Sequence, residues 1–205
     1  MYWCPTGPFA FLPIHAAGRY EIDINHASQY LISSYTPTIE PLLVDDPLES
    51  TEPFGMLTVI QSLTPHIPQM DHASSSSPLC PLPSTETELG IIRKHVPPKS
   101  LVALGVSGVP AAVEVIESHM RKSSIVHFAC HGTQNQTNPL KSGLHVDGGV
   151  LTIARIIKQP LPHGSLAFLS ACNTAMGVKK RPDEAMSLGA CLLYSGFRRV
   201  VATMW

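Results

Sequence analysis

His131 and Cys172 are the residues whose types and setting point most directly to chemistry. Each follows a short apolar run: SIVHFAC (124–130) leads into His131-Gly132, and SLAFLSA (165–171) leads into Cys172-Asn173-Thr174. An imidazole beside a thiol favours the thiolate and can later protonate a departing amine, which is the chemistry of a cysteine peptidase. The backbone N–H groups of Gly132 and Cys172 would suit the oxyanion of a tetrahedral intermediate, because glycine leaves the approach to its amide open. Taken alone, the two residues also fit a packing cysteine and a surface histidine.

The elements around them must bring the two ends to one rim. SIVHFAC, SLAFLSA, GMLTVIQSL (55–63), SLVALGV (100–106) and RVVATM (199–204) read as short strands. Helices are expected near 26–34, over 86–95 from a Ser84 or Thr85 start to the stop at Pro97-Pro98, from Pro110 through about Lys122, over 152–158 and over 184–195. The 100–130 stretch reads as a βαβ unit, and alternating strands and helices predict an α/β fold with a mainly parallel sheet covered on both faces. In such a sheet functional groups gather at the carboxyl ends of the strands, where His131 and Cys172 both lie. Most of the nineteen prolines precede Ser84, and 64–85 reads as a Pro/Ser-rich loop.

Composition narrows the classes. At 205 residues, 44% hydrophobic and 14% charged, the chain has the length and apolar content of one packed domain, 1–205. A net charge of -1 supplies no general field for nucleic acid or anionic membrane, so neither is an expected partner. No apolar run reaches the roughly 18 to 20 residues of a membrane span. The first residues lack a basic start and carry three prolines, a poor signal peptide. Five cysteines without a C-x-x-C pair argue against a disulfide framework and for an intracellular, cytoplasmic setting.

VHFACHG (126–132), LSACNTAMG (169–177) and DEAMSLGACLLYSGFRRVVATMW (183–205) closely resemble the CHAT domain, a caspase- and separase-like family. The resemblance extends to WCPTGPFAFLPIHAAG (3–18) and ISSYTPTIEPLL (32–43), which are similar to the family's early strand and its SYxPS-type segment. It implies a caspase-like three-layer sandwich, with His131 as catalytic histidine, Cys172 as nucleophile and Gly132 as oxyanion glycine. The His-before-Cys order, 41 positions apart (172 less 131), is similar to the caspase order with its interval of about 50. The string here is S-A-C-N-T, not the caspase Q-A-C-x-G. The resemblance also implies that the family domain continues past the tryptophan matched by Trp205 and begins before the present start, so an incomplete domain is expected. TPR-type repeats elsewhere in the parent protein are a further expectation of that kind.

Other residues carry more ordinary readings. Asp183 and Glu184 suit a helix start, where carboxylates meet the positive end of the dipole, and by resemblance they could contact a basic substrate residue. Lys179, Lys180 and Arg181 read as a solvated basic loop and Cys191 as core. His127 shares a strand face with His131, but with no fourth ligand in view no metal is expected, and peptidase chemistry of this kind needs no cofactor. Ser165 and Ser170 have no visible base and are disfavoured as nucleophiles. The leading expectation is a cysteine endopeptidase acting on protein or peptide substrates through a Cys172–His131 dyad. Its rivals are a catalytically inactive caspase-like interaction or regulatory domain, or inactive truncated fragment, and a redox module that oxidises Cys130 with Cys172.

Overall fold

The computed structural model describes the chain except for residues 22–23, 40–41, 44–52, 63–78, 136, 172–186 and 204–205. Its centre is a five-stranded sheet built from β3 (Met56–Ile60), β4 (Leu101–Leu104), β5 (Ile125–Ala129), β9 (Leu166–Ser170) and β10 (Arg199–Ala202), in the order β10-β9-β5-β3-β4. Every pairing in it is parallel, as the apolar, β-branched runs predict. β3 is buried along its whole length, MLTVI, because it lies inside the sheet and is covered on both faces.

Alternation sorts the strand residues between two layers. Leu57 and Val59 of β3, Val126 and Phe128 of β5 and Ala167 and Leu169 of β9 join one large core. That core is closed by α3 (Val113–Met120), α4 (Ile153–Ile156) and α5 (Leu188–Tyr194), through Ile116, Met120, Ile156 and Leu192 among others. On the opposite face Ile60 and Ala129 pack with Leu89 of α2 (Ser84–His95). The arrangement is a mixed α/β sandwich of the caspase-like kind, helix layers flanking a parallel sheet. No helix among the described residues is long and apolar enough to cross a membrane.

Several expectations shift in detail. α2 starts at Ser84, but Pro83 occupies its N-cap and no side chain caps it; the Thr85 hydroxyl donates to the Leu82 carbonyl instead. α3 begins at Val113 after an Ala112 cap, so Pro110 stands outside its first turn. The strands flanking α3, β4 and β5, are not neighbours: β3 lies between them, and the crossover spans it. The helix expected near 26–34 is a single turn, α1 (Ala27–Tyr30). The early segments β1 (Tyr2–Trp3) and β2 (Ser34–Tyr35) pair with each other in parallel. Much of the 64–85 loop lies outside the described residues.

A second, antiparallel unit was not expected: β6 (Gly132–Thr133), β7 (Gly143–Val146) and β8 (Gly149–Thr152). It rises directly from the end of β5 at His131. Asp147 and Gly148 make its tight β7–β8 turn, with Gly148 at φ +77°, a left-handed position that glycine takes without strain.

Candidate active site

β5 and β9 are adjacent, and their carboxyl ends finish level, with Ala129 opposite Ser170. Val126, Phe128 and Cys130 point into the large core, so His127 and Ala129 face the α2 side. His131 stands at the rim just beyond, half-buried.

The His131 ring is fixed by the main chain. Its Nε2 lies 2.6 Å from the carbonyl oxygen of Cys80, in the segment entering α2. A carbonyl can only accept, so Nε2 carries the hydrogen and Nδ1 is left as the basic nitrogen of the neutral ring. The backbone is held as well: the His145 N–H of β7 donates to the His131 carbonyl at 2.8 Å. Gly132 follows in β6, paired with Leu144. Burial, and secondarily the neighbouring His131, hold His145 below the usual histidine range, which favours its neutral form.

The turn of the antiparallel unit that carries Gly132 is tied down by one carboxylate. Asp147 Oδ2 accepts from the Ala111 N–H at 2.7 Å, and Oδ1 accepts from Gln61 Nε2 at 3.1 Å. Gln61 follows β3 and Ala111 precedes α3, so a turn residue of the hairpin is tied to the carboxyl end of the main sheet.

Below the rim, Glu88 of α2 bridges the two central strands. Its Oε2 lies 2.9 Å from His127 Nε2, and its Oε1 accepts from the Ser170 hydroxyl at 3.1 Å. His127 also stacks on Phe168, with ring centroids 5.2 Å apart. Burial pushes the His127 pKa down, and the Glu88 carboxylate offsets this only in part. His127 is therefore occupied by a carboxylate partner. Sequence reasoning missed Glu88, although a signal was there: it shares a 3.6-period stripe with Thr85 and Leu89, both buried, where a charged side chain needs a partner.

The cysteines divide sharply. Cys130 and Cys191 are buried in the large core, and burial pushes their thiols up to about 12 and about 11. Cys130 is thus a packing residue with little thiolate, which removes support from its oxidation with Cys172. Cys4 and Cys80 are exposed. Cys172, the expected nucleophile, lies outside the described residues, as do Asp183, Glu184 and the basic loop 179–181. Among the described residues no group of three or more His, Cys, Asp or Glu is arranged to hold a metal ion.

A family model described as the CHAT domain matches residues 1–205, the whole chain. No curated protein matches it.

Proposed function

Because this chain belongs to the CHAT domain family, a caspase-like family related to peptidases, we propose that it is a cysteine endopeptidase acting through Cys172 and His131. One observation carries the reading. Every β5–β9 pair joins a residue to the one 41 positions later, from Ile125 with Leu166 to Ala129 with Ser170, and His131 and Cys172 are separated by that same interval. The ring orientation adds to it, since Nε2 is taken by the Cys80 carbonyl and Nδ1 remains for proton transfer.

In this mechanism the Cys172 thiol passes its proton to His131 Nδ1, and the thiolate attacks the scissile carbonyl. The N–H groups of Gly132 and Cys172 receive the oxyanion. Collapse breaks the C–N bond, the imidazolium gives its proton to the leaving amine, and a thioester joins Cys172 to the acyl half. Water, deprotonated by Nδ1, then attacks the thioester and restores the thiol. Asp183 and Glu184 are assigned to contact with a basic substrate residue.

The test has two parts. Iodoacetamide alkylation followed by mass spectrometry between about pH 5 and 9 should find Cys172 reacting below the range of an ordinary thiol, pKa about 8.5, with the advantage lost in His131→Ala. Cleavage of a broad peptide library should fall by at least about 10³-fold in Cys172→Ala and in His131→Ala, with the fold retained. Unchanged cleavage in either variant would falsify the dyad. An ordinary Cys172 together with no cleavage by the unaltered chain would leave the inactive interaction domain as the reading.

A further inference from the structure

The edge of the sheet remote from β9 and β10 carries a combination that the dyad does not use. β4 is the outer strand there, and among the described residues no strand pairs with its free side. Between β4 and the end of α2 lies a depression of about 260 Å³ lined by Arg93, Val96, Pro98, Leu101 and Ala103. Leu101 and Ala103 are alternate residues of β4, so they present one face of the strand to it. Its floor is apolar, and among the described residues its one ionic lining group is the Arg93 guanidinium.

Among the described residues, those of the adjoining last turn of α2 and the short helix after it that carry charge are basic. Arg93, Lys94 and His95 form the last turn of α2, and Lys99 follows in the next short helix. All four are exposed, and among the described residues none is in an ion pair. Cations are favourable at a helix C-terminus, and one or two would satisfy the dipole. Neither the remaining charge nor the placement of Arg93 over an apolar floor follows from that.

We infer that β4 and this basic-rimmed depression form a docking site for an extended acidic segment of a partner protein. The segment adds to the sheet edge through main-chain hydrogen bonds, the mode open to any unpaired strand. Alternate apolar side chains reach the floor formed by Val96, Leu101 and Ala103, and carboxylates on the segment meet Arg93, Lys94 and Lys99. The site works independently of the chemistry at His131. It gives the chain a place to hold a substrate or regulator away from the bond to be cut.

The experiment is fluorescence anisotropy with the full chain carrying Cys172→Ala, so that no probe is consumed. The probe is a labelled eight-residue peptide alternating Glu or Asp with Val or Leu; its comparison peptides carry Lys in place of the acids, or N-methyl groups on alternate amides. The acidic peptide should bind saturably and more weakly as salt rises. The Arg93→Glu/Lys94→Glu variant should bind it at least about tenfold more weakly, and Lys99→Glu should act in the same direction. The N-methylated peptide should lose binding, since it cannot complete the main-chain pairing. Failure of the acidic peptide to bind, equal binding of the Lys peptide, indifference to the charge reversals, or full binding of the N-methylated peptide would each overturn the inference. Because these variants lie away from the dyad, cleavage by the corresponding Cys172 chain reports on the peptidase reading separately.

Discussion

Nε2 of His131 is committed to a main-chain acceptor, and this decides which substitutions matter nearby. The contact uses the Cys80 carbonyl and not its thiol. Cys80→Ala, at an exposed position, should leave the Cys172 alkylation advantage and any cleavage within about twofold of the unaltered chain. A larger drop would show that the side chain takes part. Two other histidines make a pH prediction. His127 and His145 are both held below the ordinary histidine pKa by burial, so below about pH 6.5 the unfolded chain binds more protons at these positions than the folded one. Their contribution is complete above that pH and is lost as the pH falls through their folded values. The melting temperature should therefore decline between about pH 7 and 5, and the decline should be shallower in His127→Gln/His145→Gln. An unchanged slope in the double variant would assign it to other groups. Glu88 matters here too: Glu88→Ala strips partners from His127 and Ser170 together and should destabilise the fold by about 1–3 kcal/mol in urea unfolding.

Among the elements, the antiparallel unit packs Leu144, Val146 and Leu151 into the large core and has its turn tied to the main sheet by the Asp147 carboxylate. Asp147→Ala removes both acceptors that tie its turn to Gln61 and Ala111. Amide exchange at His145 should then speed up by about tenfold or more, while β3 and β5 keep their protection; uniform acceleration would mean global destabilisation instead. This unit is also the part of the fold least legible in the chain. The five strands of the main sheet were legible because each is a compact run of apolar and β-branched residues, and α2 because of its proline stop. The hairpin was legible in principle, since Asp147-Gly148 between GLHV and GVLT is a strong short-range turn signal, but its flanks are glycine-rich and short. His131 and Gly132 are candidates by their place at a strand end. The Cys80 carbonyl that holds His131 comes from 51 positions earlier, and Glu88 stands 39 positions before the His127 it holds; only the tertiary structure brings these partners together.

At the scale of the whole molecule the described residues cover the two faces of the sheet unequally. α3, α4 and α5 close one side, while on the α2 side Phe168 is 39% and Val201 47% exposed. Adjacent residues of β9 should therefore respond differently to truncation. Leu169→Ala opens a cavity in the large core and should cost about 2–5 kcal/mol, and Phe168→Ala should cost clearly less. Equal losses in urea unfolding would show that the second face is covered in solution. The order β10-β9-β5-β3-β4 has a consequence for how the chain is made. Of these five strands β3 comes first in the chain and can serve as a seed; β4 can then settle on one flank, β5 on the other, β9 beside β5 and β10 beside β9. Each newcomer meets an edge that is already in place, so the sheet can grow by vectorial accretion during synthesis, with no strand inserted between two that have already paired.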